Sequence, residues 1–177
     1  RSGSPATLAG LTRDMGQILR LETNASRSRL LAILILEQNN PLPREELLGI
    51  LDGALRYNSD NPDLHNAAGQ LLYRAGRVEQ AEVSLKKAVG LGGKAGITHL
   101  ALAYIAMDRD EFAAAEDEFN KALKLDESLD YAYYGLGLLY EKQGENASAI
   151  KMWQRFLERT PQGGWAEKAR KKIEGLQ

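Results

Sequence analysis

The sequence has no cysteine among its 177 residues. This absence excludes disulfide bonds, a thiolate nucleophile, and cysteine-ligated zinc or iron–sulfur sites. The sequence also lacks an excess of charge of either sign, because 23 basic and 24 acidic side chains leave a formal net charge of −1. A balanced charge provides no electrostatic footprint for nucleic acid or for an anionic membrane, so we predict neither as a partner.

Long hydrophobic runs are missing as well. The longest run, at residues 30–36, has seven residues, whereas a helix that spans a bilayer needs about 20. We therefore predict no membrane insertion. Hydrophobic side chains make up 44% of the sequence and charged side chains 27%, as in soluble proteins with a packed core. This composition suits a cytoplasmic or a periplasmic protein equally well.

The dominant feature that is present is a period of 34 residues. Residues 62–163 divide without insertion into the windows 62–95, 96–129 and 130–163. Small and large side chains recur at the same positions in each window. The aligned columns are Gly69, Ala103 and Gly137; Ala81, Ala115 and Ala149; Leu85, Phe119 and Trp153; and Ala88, Ala122 and Phe156. Such a period, with two helical stretches in each unit, predicts a helical solenoid.

The period and these columns resemble the tetratricopeptide repeat (TPR) family, and they do so most faithfully in window 130–163. The resemblance implies an all-α, right-handed superhelical solenoid of antiparallel helix hairpins. Two residues depart from the family pattern. Ala106 stands where the family usually has tyrosine, and Phe156 stands where it usually has alanine.

The local sequence predicts where the helices begin and end. Asn61 and Pro62 have the residue types of an N-cap and a first helical position. We predict helices at about 63–75 and 78–90, joined by a turn at Gly76. In the next window we predict that Asp110 caps the second helix.

The segments on either side of the three windows are predicted to be helical too. Residues 28–61 fit the same register imperfectly, so we interpret them as a divergent hairpin that caps the solenoid. Residues 1–27 comprise an amphipathic helix at 5–21 and a connector. The apolar stripe of that helix consists of Leu8, Leu11, Met15 and Ile18.

The last segment, 164–177, is predicted to be a C-terminal capping helix. Its basic side chains favour a solvent-facing surface, and a site for an acidic partner is the alternative. They are Lys168, Arg170, Lys171 and Lys172.

Chemical sites are poorly supported by the sequence. His65 and His99 share one column, but that column usually holds a buried apolar residue, so we predict structural histidines and no metal. The glycine-rich stretch at 90–96 lacks the Ser or Thr that a phosphate-binding loop needs after its lysine. No Ser–His–Asp set can be assembled. We predict a protein without enzymatic activity and without a cofactor.

A binding surface is implied by the family resemblance alone. In TPR arrays the first helices of the hairpins line a concave face, which usually holds an extended or helical peptide. The implied lining residues are Asn66, Gln70, Tyr73 and Arg74 from the first window; Ile97, Leu100, Ala101, Tyr104 and Met107 from the second; and Tyr131, Tyr134, Leu138 and Glu141 from the third.

The implied groove lacks the basic clamp with which some TPR proteins hold a chaperone's C-terminal carboxylate. Ala101 and Gly135 stand at two of the clamp positions. The lining is rich in tyrosine and aliphatic residues, which indicates an apolar or amphipathic segment as ligand. We expect Tyr104 and Tyr134 to be exposed and dispensable for stability, whereas Ile97 and Leu100 suit either the groove or packing between helices.

Three functions therefore remain compatible with the sequence. The first is a non-enzymatic scaffold or adaptor that binds a protein or peptide in its groove. The second is a self-assembling structural protein whose groove receives the N-terminal helix of another copy. The third is a regulatory or targeting fragment of a larger enzyme or of a secretion or assembly complex.

Overall fold

The computed structural model describes residues 44–93 and 96–176 of the chain. These residues form eight α-helices and no strand. The helices are α1 (Arg44–Tyr57), α2 (Pro62–Arg74), α3 (Val78–Gly90), α4 (Gly96–Asp108), α5 (Phe112–Leu125), α6 (Asp130–Lys142), α7 (Asn146–Arg159) and α8 (Gly164–Gly175). The helix predicted at 5–21, the connector after it and the first helix of the hairpin at 28–61 lie outside the described residues.

The chain divides into two compact units, residues 1–93 and 94–177. In the first unit, α1 packs on the hairpin of α2 and α3. In the second unit, the hairpins α4–α5 and α6–α7 stack on each other, and α8 packs on α7. The all-α fold class predicted from the sequence is confirmed. None of the described helices is long and apolar enough to cross a membrane.

The start of α2 shows how the sequence fixes a helix boundary. The Asn61 side chain accepts hydrogen bonds from the backbone N–H groups of Asp63 (2.9 Å) and Leu64 (3.1 Å). Pro62 occupies the first helical position, where no N–H is needed. The observed α2 and α3 agree to within one residue with the helices predicted at 63–75 and 78–90.

The turns inside the hairpins share one backbone conformation. Gly76, Asp110 and Gly144 occupy the same window position, and their φ angles are 77°, 58° and 78°. The prediction that Asp110 caps α5 is wrong. Asp110 adopts the left-handed conformation, which Asp tolerates better than most residues. Its carboxylate is therefore directed to Lys142 (2.8 Å) on α6, and Glu111 takes the N-cap position without a side-chain bond.

The repeated columns form the interior of each hairpin. The small residues Ala81, Ala115 and Ala149 are completely buried. The large residues four positions later, Leu85, Phe119 and Trp153, are completely buried too.

The glycine column permits this burial because it lets the two helices of a hairpin approach closely. A Cβ atom built on Gly69 would lie 2.5 Å from Leu85 Cγ, and one built on Gly137 would collide with the indole ring of Trp153. Real Cβ atoms do not approach other heavy atoms so closely. The glycines therefore leave free the space that the large side chain of the partner helix fills.

We expect Gly137→Ala to destabilise the protein by about 1–3 kcal/mol, because the Trp153 ring is completely buried and has no open space into which it could move. Thermal or urea-induced unfolding would measure the loss.

The matched control is Gly49→Ala in α1, where an added Cβ meets nothing within 4 Å. Alanine there should stabilise by about 0.5–1 kcal/mol through helix propensity. Equal effects of the two substitutions would contradict the close-approach explanation.

Candidate peptide-binding surface

Three large apolar side chains in the first turns of α4, α6 and α8 are exposed. Ile97, Tyr131 and Trp165 have exposed fractions of 38%, 47% and 45%. Each follows the previous one by 34 residues, so they occupy equivalent positions in successive repeats. We call these three residues the first-turn row. A helix start normally presents polar side chains to solvent, so this row is a candidate binding surface.

The end of the row at α8 combines aromatic and cationic character. The rings of Tyr131 and Trp165 meet edge to face with centroids 5.9 Å apart. The Lys168 ammonium group lies 4.4 Å from the centroid of the Trp165 ring. An exposed aromatic residue beside a cation suits a ligand that offers both apolar surface and an acidic group.

The family pattern does not predict Trp165 as a site residue, because it places the lining residues in complete repeats. The signal was available, since residue 165 is one period of 34 beyond Tyr131. The capping helix α8 thus continues the row.

The expected exposure of Tyr134 is wrong. Its side chain is only 3% exposed. Its ring packs edge to face against Phe156 at 5.3 Å and against Trp165 at 5.1 Å. Because α8 lies over this part of α6, Tyr134 belongs to the core of the second unit.

Tyr104 is partly buried in the second unit, in contrast to its expected exposure. Its hydroxyl donates a hydrogen bond to the Tyr131 carbonyl oxygen (3.0 Å), and its ring meets Phe119 edge to face at 5.2 Å. Burial raises the pKa of the Tyr104 hydroxyl far above its usual range, and the neighbouring Tyr134 and Tyr131 raise it further. Tyr104 therefore positions the first turn of α6.

The remaining implied lining residues of the second unit offer less surface. Leu100 and Met107 are buried in the core, whereas Ala101, Leu138 and Glu141 are partly buried. The carboxylate of Glu141 is paired with the Lys172 ammonium group.

The basic side chains of α8 mostly make contacts within the second unit. Lys172 lies 5.4 Å from the centroid of the Trp153 ring, in addition to its pair with Glu141. Arg170 donates a hydrogen bond to the Pro161 carbonyl oxygen. Lys168, which lies over the Trp165 ring, is a basic group beside the first-turn row.

In the first unit, two of the implied lining residues are not accessible. Asn66 and Gln70 are 7% and 8% exposed, and the Gln70 amide donates to the Asn66 side-chain oxygen at 3.0 Å. An internal amide pair explains why both polar side chains can be buried. Tyr73 is partly buried and Arg74 is exposed.

Both histidines have hydrogen-bond partners. The His65 ring nitrogen Nε2 lies 2.8 Å from the Ser59 carbonyl oxygen. The His99 ring nitrogen Nδ1 lies 2.7 Å from Glu118 Oε2 on α5, a pairing that no motif in the sequence predicts. Over residues 44–93 and 96–176, no three potential ligands among His, Cys, Asp and Glu come together as a metal site would require.

The helix hairpins stacked at a period of 34 residues define a helical-repeat protein. Family models described as tetratricopeptide repeat match residues 48–95 and 131–163, and one described as TPR repeat matches residues 100–144. The chain belongs to the TPR family. Members of this family are typically protein–protein interaction scaffolds, and this chain is of that general kind.

Solved structures show the same fold at low sequence identity. BtubC from P. vanneervenii is 18% identical with a TM-score of 0.76, over 95% of this chain and 80% of that one. YrrB is 16% identical with a TM-score of 0.62, over 98% and 94%. MamA is 23% identical with a TM-score of 0.62, over 75% and 86%. A search of curated proteins found no match.

We expect Tyr134→Ala to destabilise the protein by about 3 kcal/mol, because it removes a buried aromatic ring from two edge-to-face contacts. Tyr131→Ala serves as the control and should cost about 1 kcal/mol or less, because its ring is half exposed. Thermal unfolding of both variants measures the difference. A nearly unchanged stability for Tyr134→Ala would restore the interpretation of that residue as part of an open groove.

Proposed function

We propose that this protein is a non-enzymatic scaffold that binds an amphipathic peptide segment of a partner protein along the first-turn row. The observation that carries the proposal is the exposure of Ile97, Tyr131 and Trp165 at one-repeat spacing. Isolated exposed apolar residues are common on protein surfaces, but these three recur at the same position of successive repeats, and two of them, Tyr131 and Trp165, are in contact. Tyrosine and tryptophan are also the side chains that most often dominate binding energy.

The charge beside the row defines the expected ligand further. Lys168 lies over the Trp165 ring, so a ligand with an acidic residue next to an apolar anchor gains both contacts. The ligand therefore carries apolar side chains for Ile97 and Tyr131 and an Asp or Glu near its end at α8. The structural relative YrrB, described as a TPR protein with an unusual peptide-binding site, offers a precedent for peptide recognition on this fold.

The proposal revises the groove implied by the family resemblance. Leu100, Met107 and Tyr134 are buried, whereas the three residues of the row are exposed. The peptide would consequently contact the edge of the first helices at their starts rather than their middle turns.

A random peptide library displayed on phage and selected on the immobilised full chain tests this proposal. We expect enriched peptides to combine aromatic or aliphatic residues with at least one acidic residue. For one such peptide, Ile97→Ala combined with Tyr131→Ala should weaken binding by about tenfold or more, as loss of hot-spot side chains does. Fluorescence anisotropy measures the affinity.

The matched control is Leu125→Ala, because Leu125 is 44% exposed in the same unit but lies outside the row. Lys168→Glu should weaken binding of the acidic peptides and leave their neutral analogues unaffected. The proposal fails if selection enriches no peptide, or if Leu125→Ala lowers affinity as much as the double substitution in the row.

A further inference from the structure

The first unit contains an apolar cleft on the side where α1 faces α3. Its volume is about 510 Å³, within the range of cavities that hold ligands or partner side chains. Leu48, Leu51 and Leu55 of α1 line one wall, and Leu72 of α2 forms part of the floor. Val83 of α3, which is 69% exposed, stands at the opposite wall.

The equivalent place in the second unit is filled by side chains. Residues two periods, or 68 positions, beyond Leu72 and Ser84 are Tyr140 and Met152, and both pack against the core of α4–α7. The Tyr140 hydroxyl donates a hydrogen bond to Glu116 Oε1 at 2.6 Å. Burial and this hydrogen bond raise the pKa of Tyr140 to about 12.

The cleft in the first unit follows from three substitutions at these positions. Leu72 replaces the ring that Tyr140 supplies, and Ser84 replaces the longer side chain of Met152. Leu48 replaces Glu116, whose carboxylate accepts the hydrogen bond from the Tyr140 hydroxyl in the second unit. Among the described residues, this interface between repeats is thus left open. A segment that filled it would need aliphatic side chains.

Two of the charged residues that line the cleft, Arg77 and Asp52, each form an ion pair. Arg77 binds Glu45 at 2.8 Å, and Asp52 binds Arg56 at 2.9 Å. A cleft with neutralised rim charges and leucine walls favours an apolar occupant over a charged ligand.

A segment of this chain outside the described residues has matching chemistry. Residues 5–21 carry an apolar stripe, and its part from Leu11 to Ile18 spans seven positions. The cleft wall from Leu48 to Leu55 spans seven positions as well, which is about 10 Å of helix in both cases. Residues 22–43 join this segment directly to α1, so it is tethered to the unit that bears the cleft, which raises its effective concentration into the millimolar range.

We propose that residues 5–21 pack their apolar stripe into the cleft between α1 and α3 of the same chain. The segment supplies the side chains that Tyr140 and Met152 supply in the second unit. It therefore completes the first unit and does not compete for the first-turn row, which stays open to a partner.

Because the chain has no cysteine, two introduced cysteines report on this packing in the full-length protein. Met15→Cys lies in the apolar stripe, and Val83→Cys lies at the cleft wall. We expect an intrachain disulfide in a glutathione buffer, formed about tenfold or more faster than in the control pair. Non-reducing electrophoresis and mass spectrometry identify the linked peptides.

The control pair combines Met15→Cys with Asp117→Cys. Asp117 is exposed on α5 in the second unit and lies one period beyond Val83, so it has the same position in its repeat but does not line the cleft of the first unit. Equal disulfide rates for the two pairs would overturn the proposal. A disulfide formed only between two chains would overturn it in favour of a second copy as the occupant.

A filled-cleft variant tests the packing independently. Leu48→Glu, Leu72→Tyr and Ser84→Met together reproduce the side chains of the second unit, and they should reduce the disulfide rate at Val83→Cys to that of the control pair. An undiminished rate, with folding verified by circular dichroism, would contradict the proposal.

If the filled-cleft variant does not fold, substitutions in the segment itself replace it. Leu11→Asp with Ile18→Asp should abolish the rate advantage, whereas Arg13→Asp with Gln17→Asp, outside the apolar stripe of the helix predicted from the sequence, should preserve it. Equal effects of the two pairs would overturn the proposal.

Discussion

The structure depends on the close approach of two helices at one small residue in each hairpin. In the hairpin of α6 and α7, Gly137 leaves the space that the indole of Trp153 fills completely. In the hairpin of α2 and α3, Gly69 does the same for Leu85. Since interiors are packed to the density of organic crystals, the small residue and the large one act as a single unit. The period of 34 is visible in the sequence because this pair must recur in every repeat.

Because the interior of each hairpin requires the same small and large side chains, the repeats differ mainly in the side chains at the interfaces between hairpins. Tyr140 and Met152 fill the interface between repeats in the second unit. Leu72 and Ser84, at the corresponding positions of the first unit, line a cleft. The same fold therefore yields a filled interface in one unit and a cleft in the other. The difference lies in three side chains, and at one of them, Leu72, the family usually has the tyrosine that Tyr140 supplies.

The features that the sequence predicts well are those set by local chemistry or by the period. The cap at Asn61 and the extents of α2 and α3 follow from residue types and spacing over a few positions. The burial of Leu85, Phe119 and Trp153 follows from their shared column. Each of these requires knowledge of one hairpin only.

Exposure in the first helices could not be predicted in the same way, because it depends on what packs on a helix from elsewhere in the chain. Tyr134 has the residue type and position of a groove residue, but Trp165 of α8 covers it. Gln70 donates a hydrogen bond to the side-chain oxygen of Asn66, and both residues are buried. At Asp110, the left-handed backbone conformation overrides the capping tendency of the aspartate side chain.

Trp165 has two structural roles that bear on any test of function. One side of its ring packs against Tyr134 and closes the core of the second unit, and its remaining surface, 45% exposed, extends the first-turn row. A substitution there would remove core packing and binding surface together, so lost binding could not be assigned to either cause. Ile97 and Tyr131 separate the two effects better, because neither is buried. The row is thus best tested at Ile97 and Tyr131, although Trp165 and the neighbouring Lys168 do most to define the chemistry of the proposed ligand.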